Sequence, residues 1–86
     1  MSIIETVVTI PASLESNVFG QFDEHVKKIE KTLNVTIISR DGDIKIIGSD
    51  HASRKAADII TQLAKLAEAG NTITAQNVNY ALALSY

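Results

Sequence analysis

Apolar residues recur along this chain with two periods, and the switches between them mark its elements. From residue 22 the helical period holds: Phe22, Val26, Ile29 and Leu33 fall within one narrow arc, with Glu24, Lys27, Lys28 and Lys31 opposite. At residue 35 the period drops to two, Val35 and Ile37 alternating with Thr36 and Ile38. Ile44 and Ile46 resume the alternation after Asp41-Gly42, a dipeptide whose tolerance of positive φ favours a two-residue hairpin turn. Such a turn pairs Arg40 with Asp43, Ser39 with Ile44 and Ile37 with Ile46. It collects Val35, Ile37, Ile44 and Ile46 on one face.

The flanks extend the pattern. Near the start, Ile4, Thr6, Val8 and Ile10 share one face of a strand and Ile3, Glu5, Val7 and Thr9 the other. Pro11, with no N–H to donate, ends it. Leu14 and Val18 are four apart and predict a short helix before Gly20. Gly48-Ser49-Asp50 breaks the second hairpin strand, and Ser49 or Asp50 can cap a helix over 52–69. In that helix Ala56, Ile59, Leu63 and Leu66 line one face beside Ile60 and Ala67. Arg54, Asp58 and Lys65 lie opposite, the first two at ion-pair spacing. Gly70 suits a left-handed C-terminal residue. Thr74 then reads as the cap of a last helix, with Ile73 stapled onto Val78. That helix meets neither glycine nor proline before Tyr86 and reads as cut from a longer chain.

Strands over 3–10, 35–40 and 43–48, with helices over 22–33 and 52–69, predict an α+β domain: a three-stranded sheet with helices on one face. The predicted core is Phe22, Val26, Ile29, Leu33, Val35, Ile37, Ile44, Ile46, Ala56, Ile59 and Leu63. The order β-α-α-β-β-α, with an extra C-terminal helix, is that of a type I KH module, whose GXXG loop between the first two helices clamps nucleic-acid backbone.

Composition narrows the chemistry. The 86 residues form a single domain, 1–86, without cysteine, so disulfides, cysteine metal sites and thiol nucleophiles are excluded. A net charge of −2 argues against coating nucleic acid by bulk electrostatics. No apolar run is long enough to span a membrane, and the N-terminal ten residues lack the basic start and cleavage site of a signal peptide.

The run FGQFDEHVKKIEKTLNVTIISRDGDIKIIG resembles the N-terminal domain of PhoH-like, phosphate-starvation-inducible proteins. The likeness rests on Phe19, Gly20, Phe22, Asp23, Glu24, Lys27, Glu30, Leu33, Ile37, Arg40 and Gly48, and continues through Ala56, Ala57, Leu63 and ITAQNVNYAL. It implies a KH-like domain at the N-terminus of a longer cytoplasmic protein of RNA metabolism, joined to a C-terminal P-loop ATPase domain that uses ATP and Mg. His25 stands where asparagine is usual in that family, and Gln21 where proline is usual. No G-x-x-x-x-G-K-[ST] occurs in this chain, so it carries no phosphate-cradling loop and no ATPase chemistry of its own.

Gly20, Gln21, Phe22 and Asp23 hold the GXXG position, with Asp23 in place of the second glycine. Asp23 and Glu24 suit the first turn of a helix and would repel a phosphate there. The candidate nucleic-acid contacts are Gly20 and Gln21 in this loop, Lys27 and Lys31 on the helix, and Arg40 and Lys45 in the hairpin. Each has a plain structural account. Asp23–Lys27 and Glu24–Lys28 are favourable i,i+4 pairs, and Arg40 can pair with Asp43 across the strands. His25 and His51 have no partner at ligand spacing and are predicted at the surface or boundary, with no metal site. Ser13, Ser16, Ser39, Ser49, Ser53 and Ser85 are scattered and form no G-x-S-x-G elbow. Asp41 and Asp43 are accounted for as turn formers. The chain is therefore expected to have no catalytic residues, no cofactor and no enzymatic activity. The expected role is a module contacting single-stranded RNA for an ATPase domain in the same parent; the alternative is a protein docking or oligomerisation module with a degenerate GXXG loop and no nucleic-acid binding. The expected partners are single-stranded RNA, that C-terminal ATPase domain and a further copy of the chain.

Overall fold

The computed structural model describes residues 3–40 and 42–84. Asp41 of the predicted turn, together with Ser85 and Tyr86, lies outside the described residues. The elements run β1 (Ile3–Thr9), α1 (Ala12–Phe19), a short turn (Gln21–Asp23), α2 (Glu24–Leu33), β2 (Thr36–Arg40), β3 (Asp43–Ser49), α3 (Asp50–Glu68) and α4 (Ala75–Leu84). The strand order is β1-β3-β2, antiparallel throughout. This is the α+β, KH-like arrangement expected from the sequence.

The hairpin register agrees with the reading: Ile37 faces Ile46, Ser39 faces Ile44 and Arg40 faces Asp43. Along β1 the alternation holds as well, with Ile4, Thr6 and Val8 half-buried and Ile3, Glu5, Val7 and Thr9 exposed. The helices cover the face that carries Ile44 and Ile46, and the face that carries Ile38 and Val7 is open. Ile10, Val18, Phe19, Ile29, Ile59, Ile60, Leu63, Ile73 and Val78 join the same core.

Several ends are capped as the sequence implies. Ser49 Oγ accepts the Ala52 N–H at 3.2 Å and opens α3. At its far end Gly70 has φ 97°, and the Asn71 N–H reaches back to the Leu66 carbonyl at 3.1 Å, closing a Schellman turn. Thr74 Oγ1 accepts the Asn77 N–H at 3.2 Å while Asn77 Oδ1 accepts the Thr74 N–H at 2.9 Å. Asn77 thus serves where Glu or Gln usually completes the capping box, and Ile73 and Val78 are both buried beneath it.

Four expectations are corrected. Leu66 is 39% exposed, because the last turns of α3 present Leu63, Ala64 and Ala67 to the core instead. Arg54 pairs with Asp50 one turn earlier, at 2.7 Å, rather than with Asp58. His25 is buried, since it lies on the same stripe of α2 as Ile29 and Leu33. Phe22, expected in the core, is 83% exposed. The helical phase does not reach back to it, because α2 begins only at Glu24; the buried phenylalanine is Phe19, at the end of α1.

Candidate docking groove

Gly20 joins α1 to the turn with φ 82° and ψ 170°, a conformation essentially reserved for glycine. A Cβ there would stand 2.8 Å from His25 Cγ and Nδ1. The imidazole therefore fills the space a side chain at residue 20 would need. His25 Nδ1 lies 3.3 Å from the Val18 carbonyl, which can only accept, so Nδ1 donates. Phe22 (φ 56°) and Asp23 (φ 57°) are both left-handed, which costs an L-residue about 1–2 kcal/mol each. For a ring as bulky as phenylalanine the conformation is an outlier, and the ring is held out in solvent. Asp23 lies outside the helix and makes no side-chain cap.

Phe22→Gly is accordingly expected to stabilise the fold by about 0.5–1 kcal/mol. Relief of left-handed strain outweighs the added entropy of the unfolded chain. Urea denaturation measures it; a clear loss of stability would mean that the ring contributes packing in the free protein.

Behind the turn, between α1 and β2, runs an open groove of about 440 Å³. Ala12, Ser16 and Phe19 form its floor on the α1 side, Ser39 its β2 side, and Gly20 its end. Two carboxylate residues, Glu15 and Asp23, line it, and Ser39 Oγ donates to Glu15 Oε1. Among the described residues no cation lines the groove.

The sequence-predicted contacts are not brought together. Gly20 and Gln21 are at the turn, and Lys27 and Lys31 are exposed on α2. Arg40, in phase with Thr36 and Ile38, belongs to the open face of the sheet, as does Lys45, whose Nζ lies 3.7 Å from Glu5. The sheet separates the two pairs of cations. Nor do the expected neutralising pairs form. No ion pair among the described residues joins Asp23 to Lys27, Glu24 to Lys28, or Arg40 to Asp43. Asp43 instead accepts from Thr9 Oγ1 at 2.9 Å.

Two residues that periodicity could not single out organise the surroundings. Glu30 Oε2 accepts the Ile37 N–H at 2.8 Å, fastening α2 to the outer edge of β2. Asn17 donates to the Asn71 carbonyl at 2.8 Å and accepts the Ile73 N–H at 2.9 Å, fastening α1 to the segment between α3 and α4. Among the described residues no cluster of His, Cys, Asp and Glu is arranged to hold a metal, and no helix is long and apolar enough to cross a membrane.

No protein-family model and no curated protein matches the sequence. Among solved structures, the fold is similar to that of a protein of unknown function, APE0754 from Aeropyrum pernix, determined at 1.5 Å. The TM-score is 0.77 at 16% identity, over 96% of this chain. The chain spans 47% of that protein's length.

Proposed function

We propose that this chain is a protein-docking module on a KH-like fold, with a degenerate GXXG loop and a groove that receives a basic segment of its partner. The observation that carries the reading is the pair of carboxylates, Glu15 and Asp23, lining the groove beside the Gly20 turn. A phosphate brought there would meet like charge, whereas a lysine or arginine side chain would find carboxylate acceptors and the Ser39 hydroxyl. On the sequence's resemblance to PhoH-like proteins, the partner proposed is the ATPase domain of a longer parent.

Contact with single-stranded RNA is the second reading. It is favoured by the exposed Lys27, Lys28 and Lys31 on α2, beside the turn, which no ion pair among the described residues engages. One titration series separates the two. With single-stranded RNA at two salt concentrations, docking predicts no saturable binding and no effect of Asp23→Gly or Arg40→Ala. An arginine-bearing peptide should shift the amide resonances of Glu15, Ser16 and Ser39. RNA contact predicts weak, salt-dependent binding that Asp23→Gly tightens by roughly fivefold, the worth of about 1 kcal/mol from one removed charge. Under that reading Arg40→Ala flattens the salt dependence by about one unit of slope.

A further inference from the structure

We infer that β1 is the pairing edge of a symmetric dimer, in which two copies of this chain join β1 to β1 and their sheets become one. The inference goes beyond the groove and uses a different surface. Its starting point is the ladder. The Ile10 N–H donates to the Gly42 carbonyl at 3.2 Å, which continues the β1–β3 register beyond Thr9 and Asp43. Hydrogen-bonded positions alternate along an antiparallel pair. The even residues Ile4, Thr6 and Val8 therefore bond to β3, and the N–H and C=O groups of Ile3, Glu5, Val7 and Thr9 point away from the sheet. No hydrogen bond among the described residues takes up those backbone groups, and all four residues are exposed.

The sheet's two edges are treated differently. At β2 the outward Ile37 N–H is taken by Glu30 Oε2, and Ser39 is bonded to Glu15 of α1. Natural proteins block an edge in this way against strand addition. β1 is less protected: its one charge, Glu5, is paired with Lys45 of β3 at 3.7 Å, and it has no lysine, no proline within the strand and no bulge, with Ile3 and Val7 exposed along it. One open and one blocked edge allow a second copy to add once, which gives a closed two-fold dimer rather than a filament.

The register of that pair follows from charge. Outward residues must meet outward residues, so the two-fold axis passes beside an even residue or faces an odd one against itself. An axis at Glu5 would set Glu5 against its own copy. An axis at Thr6 sets Glu5 opposite Val7 of the second copy and Ile3 opposite its Thr9. It uses the full length of the strand and places no like charges opposite one another. It also brings Ile3 and Val7 of both copies together on the open face, with Ile47 and Lys45 of β3 on the neighbouring strand of each sheet.

Sedimentation velocity on the 86-residue chain, with amide hydrogen exchange followed by NMR, tests the inference. The expected result is a monomer–dimer equilibrium with a dissociation constant on the order of 100 µM, as befits a small interface. Exchange at Glu5, Val7 and Thr9 should slow as concentration rises, while Thr6 and Val8 stay protected throughout. Val7→Pro removes one outward donor at an edge position that tolerates proline, and should raise the dissociation constant at least about tenfold. A chain that stays monomeric at roughly 1 mM, ten times the expected constant, overturns the inference. So does a dimer in which exchange at Glu5, Val7 and Thr9 is independent of concentration. If Val7→Pro does not fold, the exchange pattern of the unaltered chain still decides.

Discussion

Gly20→Ala should cost this domain about 2–6 kcal/mol, a large share of the stability of a fold of this size. Two independent terms add. Alanine at φ 82° and ψ 170° occupies a region that only glycine populates freely, for about 1–3 kcal/mol. Its methyl group would also sit 2.8 Å from the buried His25 ring, and overpacking of that kind costs about 1–3 kcal/mol more. The imidazole has little room to retreat, because its Nδ1 is tied to the Val18 carbonyl. A double-mutant cycle with His25→Ala separates the terms: the clash should appear as a coupling energy of about 1–3 kcal/mol, and the backbone strain should remain. Urea denaturation gives all four corners. A Gly20→Ala protein within 1 kcal/mol of the parent would show that the turn relaxes freely.

Ile46→Ala and Ile38→Ala should differ several-fold in cost although both residues lie in the same hairpin. Ile46 is 0% exposed, paired with Thr6 on one side and Ile37 on the other, beneath the helices. Truncating it leaves a cavity in the middle of the core, for about 3–5 kcal/mol. Ile38 is 40% exposed on the open face, and its truncation should cost below about 1 kcal/mol. For a domain of this length that is a drop in Tm of about 12–40 °C against less than about 8 °C, readable by thermal denaturation. Equal costs would mean that the open face is covered in solution.

The three strands and the register of the hairpin were legible in the sequence because a period of two leaves little freedom. Once Asp41-Gly42 marks the turn, Ile37 has to meet Ile46, and a slip of one residue would turn the apolar set to water. Caps were legible for a similar reason: Ser49, Gly70 and Thr74 act on neighbours within the same turn of chain. The candidate site was harder. Phe22 stands four residues before Val26 and so matches the helical spacing, but spacing carries no information about whether the helix has begun. Gly20 was the warning, since a residue of φ 82° can change the chain's direction just before that point. His25 could have been placed in the core by applying the same stripe to a polar residue. The separation of Arg40 from Lys27 was also within reach: Arg40 shares parity with Thr36 and Ile38, and the helices pack on the residues of opposite parity. What no local pattern could supply is the pairing of Glu30 with Ile37 or of Asn17 with residues 71–73, which depends on how separate elements are stacked.

The Asn17 clasp also bears on the order of events during synthesis. Its partners lie 54 and 56 residues further along the chain. At translation rates of roughly 5–20 residues per second, Asn17 is added to the chain about 3–11 s before Asn71 and Ile73. For that interval α1 lacks the Asn17 clasp, and α2 and α3, the helices it packs against, must hold it in place. The segment 71–73 therefore secures α1 late, and a nascent chain that pauses before residue 71 carries α1 without its clasp.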